Sequence, residues 1–151
     1  MRGKSVCDDR GELLVRISQC CNPEEKVQLI RDLLGCECKK LTVEGPIWFA
    51  RGQDIWIGSE VHFAARCEIW DLGRIEIEDN VIFGPGVKLR AEAGQPVRIG
   101  RRVWLGEAVQ VGPGSVIGEN AVVCAGSYVS GEIPAGAVVA GNPPQLIRMV
   151  R

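Results

Sequence analysis

The sequence predicts a mainly β protein, a parallel β-solenoid of triangular cross-section, and three observations predict it. First, an aliphatic residue or Phe stands at Ile57, Phe63, Ile69, Ile77, Phe83, Leu89, Ile99, Leu105, Val111, Ile117, Val123 and Val129. The spacing is six residues throughout, broken only by one interval of eight and one of ten, and Val43 and Phe49 extend the series upstream. Second, the neighbours agree: Gly58, Gly84, Gly100, Gly106, Gly112 and Gly118 follow a core residue, where a sharp turn needs either close backbone approach or positive φ. Small or β-branched residues such as Val61, Cys67, Val81, Val103, Ser115 and Ala121 fill the fifth place of each hexad. Third, 151 residues contain 19 Gly but only three Phe, four Trp and one Tyr, so the core is filled by repetition rather than by bulky rings. A helix of period 3.6 or a simple alternating strand fits none of this.

Residues 1–42 read as a helical cap and linker. Leu13, Leu14 and Ile17 mark a first helix, although Val15 leaves a strand open as the alternative. Asn22 is a capping residue before Pro23 at the first helical position, with Glu25 in the third. Val27, Ile30, Leu33 and Leu34 give the second helix its apolar face, and Gly35 stops it. Residues 43–140 form the solenoid. Its longer intervals begin after Phe49, Ile69 and Leu89, each 20 residues from the next, so the extra residues emerge at one corner of successive coils. Three hexads per coil give about five coils by this register, with strands of adjacent coils paired. The periodicity leaves the hand open, ordinary crossovers being right-handed. Residues 141–151 are a tail in which Gly141-Asn142-Pro143-Pro144 stops the coil, and a short helix is expected to finish it.

Charge is nearly balanced, with 18 basic and 19 acidic side chains and a net charge of −1, so nothing points to nucleic acid or an anionic membrane as partner. No run approaches the roughly 18 apolar residues of a membrane helix, and the opening MRGKSVCDD lacks a signal peptide's apolar segment. A cytoplasmic protein is expected. The seven cysteines are an odd number and read as reduced thiols. Cys36-Glu37-Cys38 is too closely spaced for the usual zinc pair, and the single histidine, His62, is distant, so no metal is expected. Cys20 and Cys21, just ahead of the second helix, read as small apolar filling or as a redox pair.

The repeats, with Val103-Trp104-Leu105-Gly106, Val111-Gly112-Pro113-Gly114, Ile117-Gly118-Glu119-Asn120 and Ala140-Gly141-Asn142-Pro143, resemble the hexapeptide-repeat acyltransferases, and most of all the maltose and galactoside O-acetyltransferases. The likeness runs over residues 14–148. It implies a left-handed parallel β-helix, a homotrimer with active sites between subunits, acetyl-CoA as donor and a sugar or other small hydroxyl compound as acceptor. On the donor side it implies CoA contacts from Trp104, beside the cleft, from Glu107 and Ala125 through their backbone, from Ser130 near the pantetheine and from Arg148 near the nucleotide. A family lysine after Ser130 is here Gly131 and a basic tail residue is Gln145; Arg101, Arg102 or Arg148 is available to compensate, or Arg101 and Arg102 form a solvated face.

The acceptor side departs further from the family. Acyl transfer needs a general base and donors for the developing oxyanion. The family's base is a histidine in a long loop, and the resemblance places it in residues 90–96, where this chain has only RAEAGQP and the nearest position is Gly94. Two acceptor-side polar residues fall at Ala50 and at Ala64 or Arg66. Asp71 matches a recurrent family aspartate, with a turn-forming role as the alternative. His62 is the substitute base, or else a packing or contact residue, and Glu92 lies in a short loop that offers little burial. Trp48, Trp56, Trp70 and Trp104 either stack on ligands or fill subunit interfaces. The rival to an O-acyltransferase is a catalytically inactive trimeric β-helix, a scaffold or ligand-binding module; an enzyme with a smaller or non-sugar acceptor also fits the short loop.

Overall fold

Two helices open the computed structural model, which describes residues 6–35 and 38–149. Helix α1 spans Val6–Gln19, so the strand alternative at Val15 does not hold; Val15 sits on its exposed face while Ile17 is buried. Helix α2 spans Pro23–Leu34. The Asn22 side chain accepts the Glu24 and Glu25 amides at 2.9 and 3.1 Å, and Gly35 ends the helix in the left-handed region at φ 69° with its N–H bonded to the Arg31 carbonyl. Val27, Leu29, Ile30 and Leu33 turn inward against the first coil. Lys26 is also buried, and its ammonium donates to the Gly45 carbonyl at 2.9 Å, which fastens the cap to the coil. A solenoid end left open would present unpaired strand edges, and these helices cover it. Cys36 and Glu37 lie outside the described residues.

Three parallel sheets form the prism. The first carries Thr42–Val43, His62–Phe63, Ile82–Phe83, Trp104–Leu105, Val122–Val123 and Ala137–Ala140. The second carries Ile47–Phe49, Cys67–Asp71, Lys88–Ala91, Gln110–Val111 and Tyr128–Val129; the third carries Ile55–Ile57, Ile75–Ile77, Val97–Ile99, Val116–Ile117 and Glu132–Ile133. Every hexad residue named above points inward, and like stacks on like: the Phe63 and Phe83 rings lie 4.4 Å apart. Each such burial contributes roughly 1.5–3 kcal/mol. The extra residues leave at one corner, between the second and third sheets, as the spacing predicts.

The structure decides between the two roles open to the hexad glycines. Gly106 needs close approach, since a Cβ there would fall 2.8 Å from the Ala125 nitrogen of the coil above. Positive φ falls two residues further on, at Ala108 (φ 60°) after Gly106 and at Arg102 (φ 59°) after Gly100.

The tail corrects the expectation of a helix. Gln145–Met149 is a strand, antiparallel to Ala137–Ala140, reached by a reversal through Gly141 at φ 104°. The last coil offers an unpaired edge of backbone donors and acceptors, and a returning strand satisfies them where a helix leaves them open. Among the described residues no helix is long and apolar enough to cross a membrane.

Candidate active site

The corner between the first and second sheets has a regular hydrogen-bond pattern with a chemical consequence. Gly106 donates upward to the Val123 carbonyl and Ala108 donates downward to Pro85; one coil higher, Cys124 donates to Val139 and Gly126 to Glu107. The middle residue of each turn is left out. Among the described residues the amides of Glu107 and Ala125 have no protein acceptor, and both residues are exposed. Two N–H donors therefore face solvent one coil apart, a spacing of about 4.8 Å. Such a pair suits the carbonyl oxygens of a ligand lying along the prism.

On the first sheet, register places Thr42, His62, Ile82, Trp104, Val122, Val138 and Arg148 in one outward row. His62 and Trp104 thus share a face, two coils apart, with Ile82 between them, and Arg148 tops the row. Trp104 is 55% exposed and Ile82 46%. His62 Nε2 stands 3.3 Å from Glu44 Oε2 on the coil below. A carboxylate on one imidazole nitrogen fixes the orientation of the ring and leaves the other nitrogen for a ligand. Sequence reasoning missed Glu44, which meets His62 only because the coil stacks residues 18 positions apart.

Asp71 sits elsewhere. It is fully buried at the corner between the second and third sheets, its two carboxylate oxygens accepting the Arg51 and Gln53 amides at 2.8 Å each. It is not brought together with His62, and its contacts are those of a residue that holds two coils in register. Ser130 lies exposed past the second sheet, across that sheet from the Ala125 corner. Within one protomer the donor-side residues thus divide into Trp104 and Arg148 on the first sheet, Glu107 and Ala125 at the corner beside it, and Ser130 at the far side of the second sheet.

The shortened loop is a hairpin. Glu92 and Gln95 exchange backbone hydrogen bonds at 3.2 and 2.8 Å around Ala93 and Gly94, with Glu92 also paired to Arg90 at 3.0 Å. Ala64 is buried. Arg102 bonds Asn120 Oδ1 at 2.8 Å, and Arg101 and Arg102 lie 3.9 and 3.7 Å from Glu78 and Glu119 at the third corner. Both are exposed, which fits the solvated face. Among the described residues Arg148 makes no ion pair, and no cluster of three or more His, Cys, Asp or Glu side chains is arranged for a metal. A second missed feature is a groove on the outward face of the second sheet, where Trp70 lies 4.6 Å from Trp48 and under the Arg90 guanidinium.

A helix-capped triangular coil with stacked free amides at one corner defines a hexapeptide β-helix transferase, and comparison with known proteins agrees. The model for bacterial transferase hexapeptide (six repeats) matches residues 96–131. The chain is 33% identical over 141 residues to galactoside O-acetyltransferase of Escherichia coli (strain K12), covering 84% of this chain and 70% of that protein. Among solved structures, a maltose O-acetyltransferase from Clostridium difficile 630 superposes with a TM-score of 0.89 at 30% identity, over 96% of this chain and 86% of that one. A hexapeptide-repeat acetyltransferase from Vibrio cholerae, solved with acetyl-CoA, superposes with a TM-score of 0.88 at 26% identity, over 96% and 87%. The fold is thus the left-handed parallel β-helix. The chain belongs to the hexapeptide-repeat acetyltransferases, in the family of the galactoside and maltose O-acetyltransferases.

Proposed function

We propose that the protein transfers an acetyl group from acetyl-CoA to the hydroxyl of a small acceptor, a sugar being the class that its relatives' names suggest. The observation that carries this reading is the pair of free, exposed amides at Glu107 and Ala125. They suit the amide carbonyls of a pantetheine arm, with Trp104 alongside and Arg148 above. In our reading the active enzyme is a homotrimer, in which Ser130 joins these groups from across a cleft between protomers. It works in the cytoplasm; the free thiols of Cys20, Cys21, Cys38, Cys67 and Cys124 fit a reducing compartment.

Bound acetyl-CoA supplies the activated acetyl group as a thioester. His62, held by Glu44, takes the proton of the acceptor hydroxyl as its oxygen bonds to the acetyl carbon. The carbon–sulfur bond then breaks, and His62 returns the proton to the leaving thiolate. A backbone N–H donor at the carbonyl oxygen stabilises the charge that develops there. Asp71 acts at a distance, by holding the corner next to the acceptor side.

Purified protein incubated with acetyl-CoA and a panel of hydroxyl acceptors, with free thiol as readout, tests this. Release above the buffer rate is expected. Release at the buffer rate despite CoA binding would instead favour the silent binding module, a reading that draws on the hairpin at residues 92–95 and its lack of a histidine.

A further inference from the structure

The groove on the second sheet carries chemistry that neither the fold nor the donor corner uses. Glu68, Lys88, Gln110 and Tyr128 follow one another up its first outward row, and Trp70 and Arg90 stand in the second. They enclose about 230 Å³ above Gly112 and Pro113. Glycine at the floor lets the Tyr128 hydroxyl sit close against it, since a Cβ on Gly112 would lie 2.5 Å from that oxygen.

The polar groups are unevenly satisfied. Glu68 is in register with Lys88, yet its carboxylate accepts the Trp70 indole N–H at 3.1 Å, and no ion pair joins the two charges. Among the described residues Lys88 therefore has no anionic partner. Arg90 is held by Glu92 at Nε (3.0 Å) and by the Trp70 ring beneath it, 5.7 Å from Cζ, and among the described residues its two Nη groups keep no protein acceptor. A preorganised guanidinium beside a free ammonium is a receptor for carboxylate or phosphate oxygens. Glu68, Gln110 and the Tyr128 hydroxyl, at the other side, can bond hydroxyl groups. The groove also borders the donor corner: Gln110 follows Glu107 and Tyr128 follows Ala125 by three residues, about 10 Å of extended chain.

The geometry points to a hydroxyl-bearing anion of monosaccharide size, a uronate or sugar phosphate, as the occupant of this groove and the acyl acceptor. Its role as acceptor rests on the acetyl-transfer reading and on that reading's trimer, because within one protomer His62 faces out from the first sheet and the groove from the second; its binding does not. The test is calorimetric titration of the whole protein with D-galacturonate, D-galactose 6-phosphate and D-galactose, with CoA titrated separately. At least one of the two anionic sugars binds about tenfold or more tightly than galactose, and its affinity falls with added salt; which of them does separates carboxylate from phosphate. Arg90→Gln and Lys88→Gln each weaken that binding about tenfold, while Arg90→Lys keeps part of it and CoA affinity is unchanged. Galactose binding as tightly as either anion, no sugar binding, or Arg90→Gln without effect overturns the proposal. Anionic binding without CoA binding would contradict the acetyl-transfer reading alone. Anionic binding that never accelerates thiol release, when another hydroxyl compound does, would remove the acceptor role.

Discussion

Asp71 and Arg51, twenty residues apart, are tied by two hydrogen bonds, both donated by Arg51: its amide to Asp71 Oδ1 at 2.8 Å and its side-chain Nε to the Asp71 carbonyl at 3.0 Å. With Gln53 on the other carboxylate oxygen, one buried side chain holds the extended corner of two coils. Asp71→Ala leaves two part-buried amides without an acceptor. Stability is expected to fall by about 3 kcal/mol, measured by urea unfolding, and Asp71→Asn, which keeps one acceptor, by less.

Cys67 gives stability an alkaline limb. Burial pushes its thiol from 9.0 up to about 11, while its hydrogen bond to the Val87 backbone and the nearby Arg66 charge pull the other way. The folded chain thus holds a proton that the unfolded chain releases, so stability is full below pH 9 and declines as pH rises toward 11. The loss is on the order of 2 kcal/mol. Cys67→Ala is expected to flatten that decline in unfolding curves between pH 8 and 11; an unchanged slope would contradict it.

The donor corner can be edited without disturbing the turn. Pro85 occupies the place below Glu107 and Ala125 in the same column of turns, so the backbone there tolerates a residue without N–H. Ala125→Pro and Glu107→Pro are each expected to weaken CoA binding about tenfold by calorimetry, with the melting temperature moving by no more than a few degrees.

Trp104 and Ile82 form an apolar strip on the first sheet that water covers in a lone protomer. We propose that the trimer covers Ile82 in this strip, so Ile82→Glu is expected to reduce the particle, in light scattering, from three times the 16.4 kDa chain mass to one. A wild-type protein at the single-chain mass would contradict the trimer.

The coil was legible in the sequence because inward residues from Ile57 to Val129 recur every six positions, with the longer intervals only at one corner, regardless of their distant neighbours. Whatever depends on a partner in another coil was not. Local propensity suggested that Asp71 bonds its own turn, whereas it bonds the turn beneath. Gln145–Met149 carries no local sign of the strand edge that captures it. The same limit governs the site. Glu107 and Ala125 were found through a family resemblance, but the pairing of His62 with Glu44 and the gathering of Lys88, Arg90 and Trp70 arise only when hexads are stacked.

The most direct test of the account is the rate of thiol release from acetyl-CoA, with a saturating acceptor, in wild type and His62→Ala, alongside CoA affinity. The account expects release in the wild type, a fall of roughly 10² to 10⁴-fold in the variant, and unchanged CoA binding. Equal rates in the two proteins, or a wild type no faster than buffer, would contradict it.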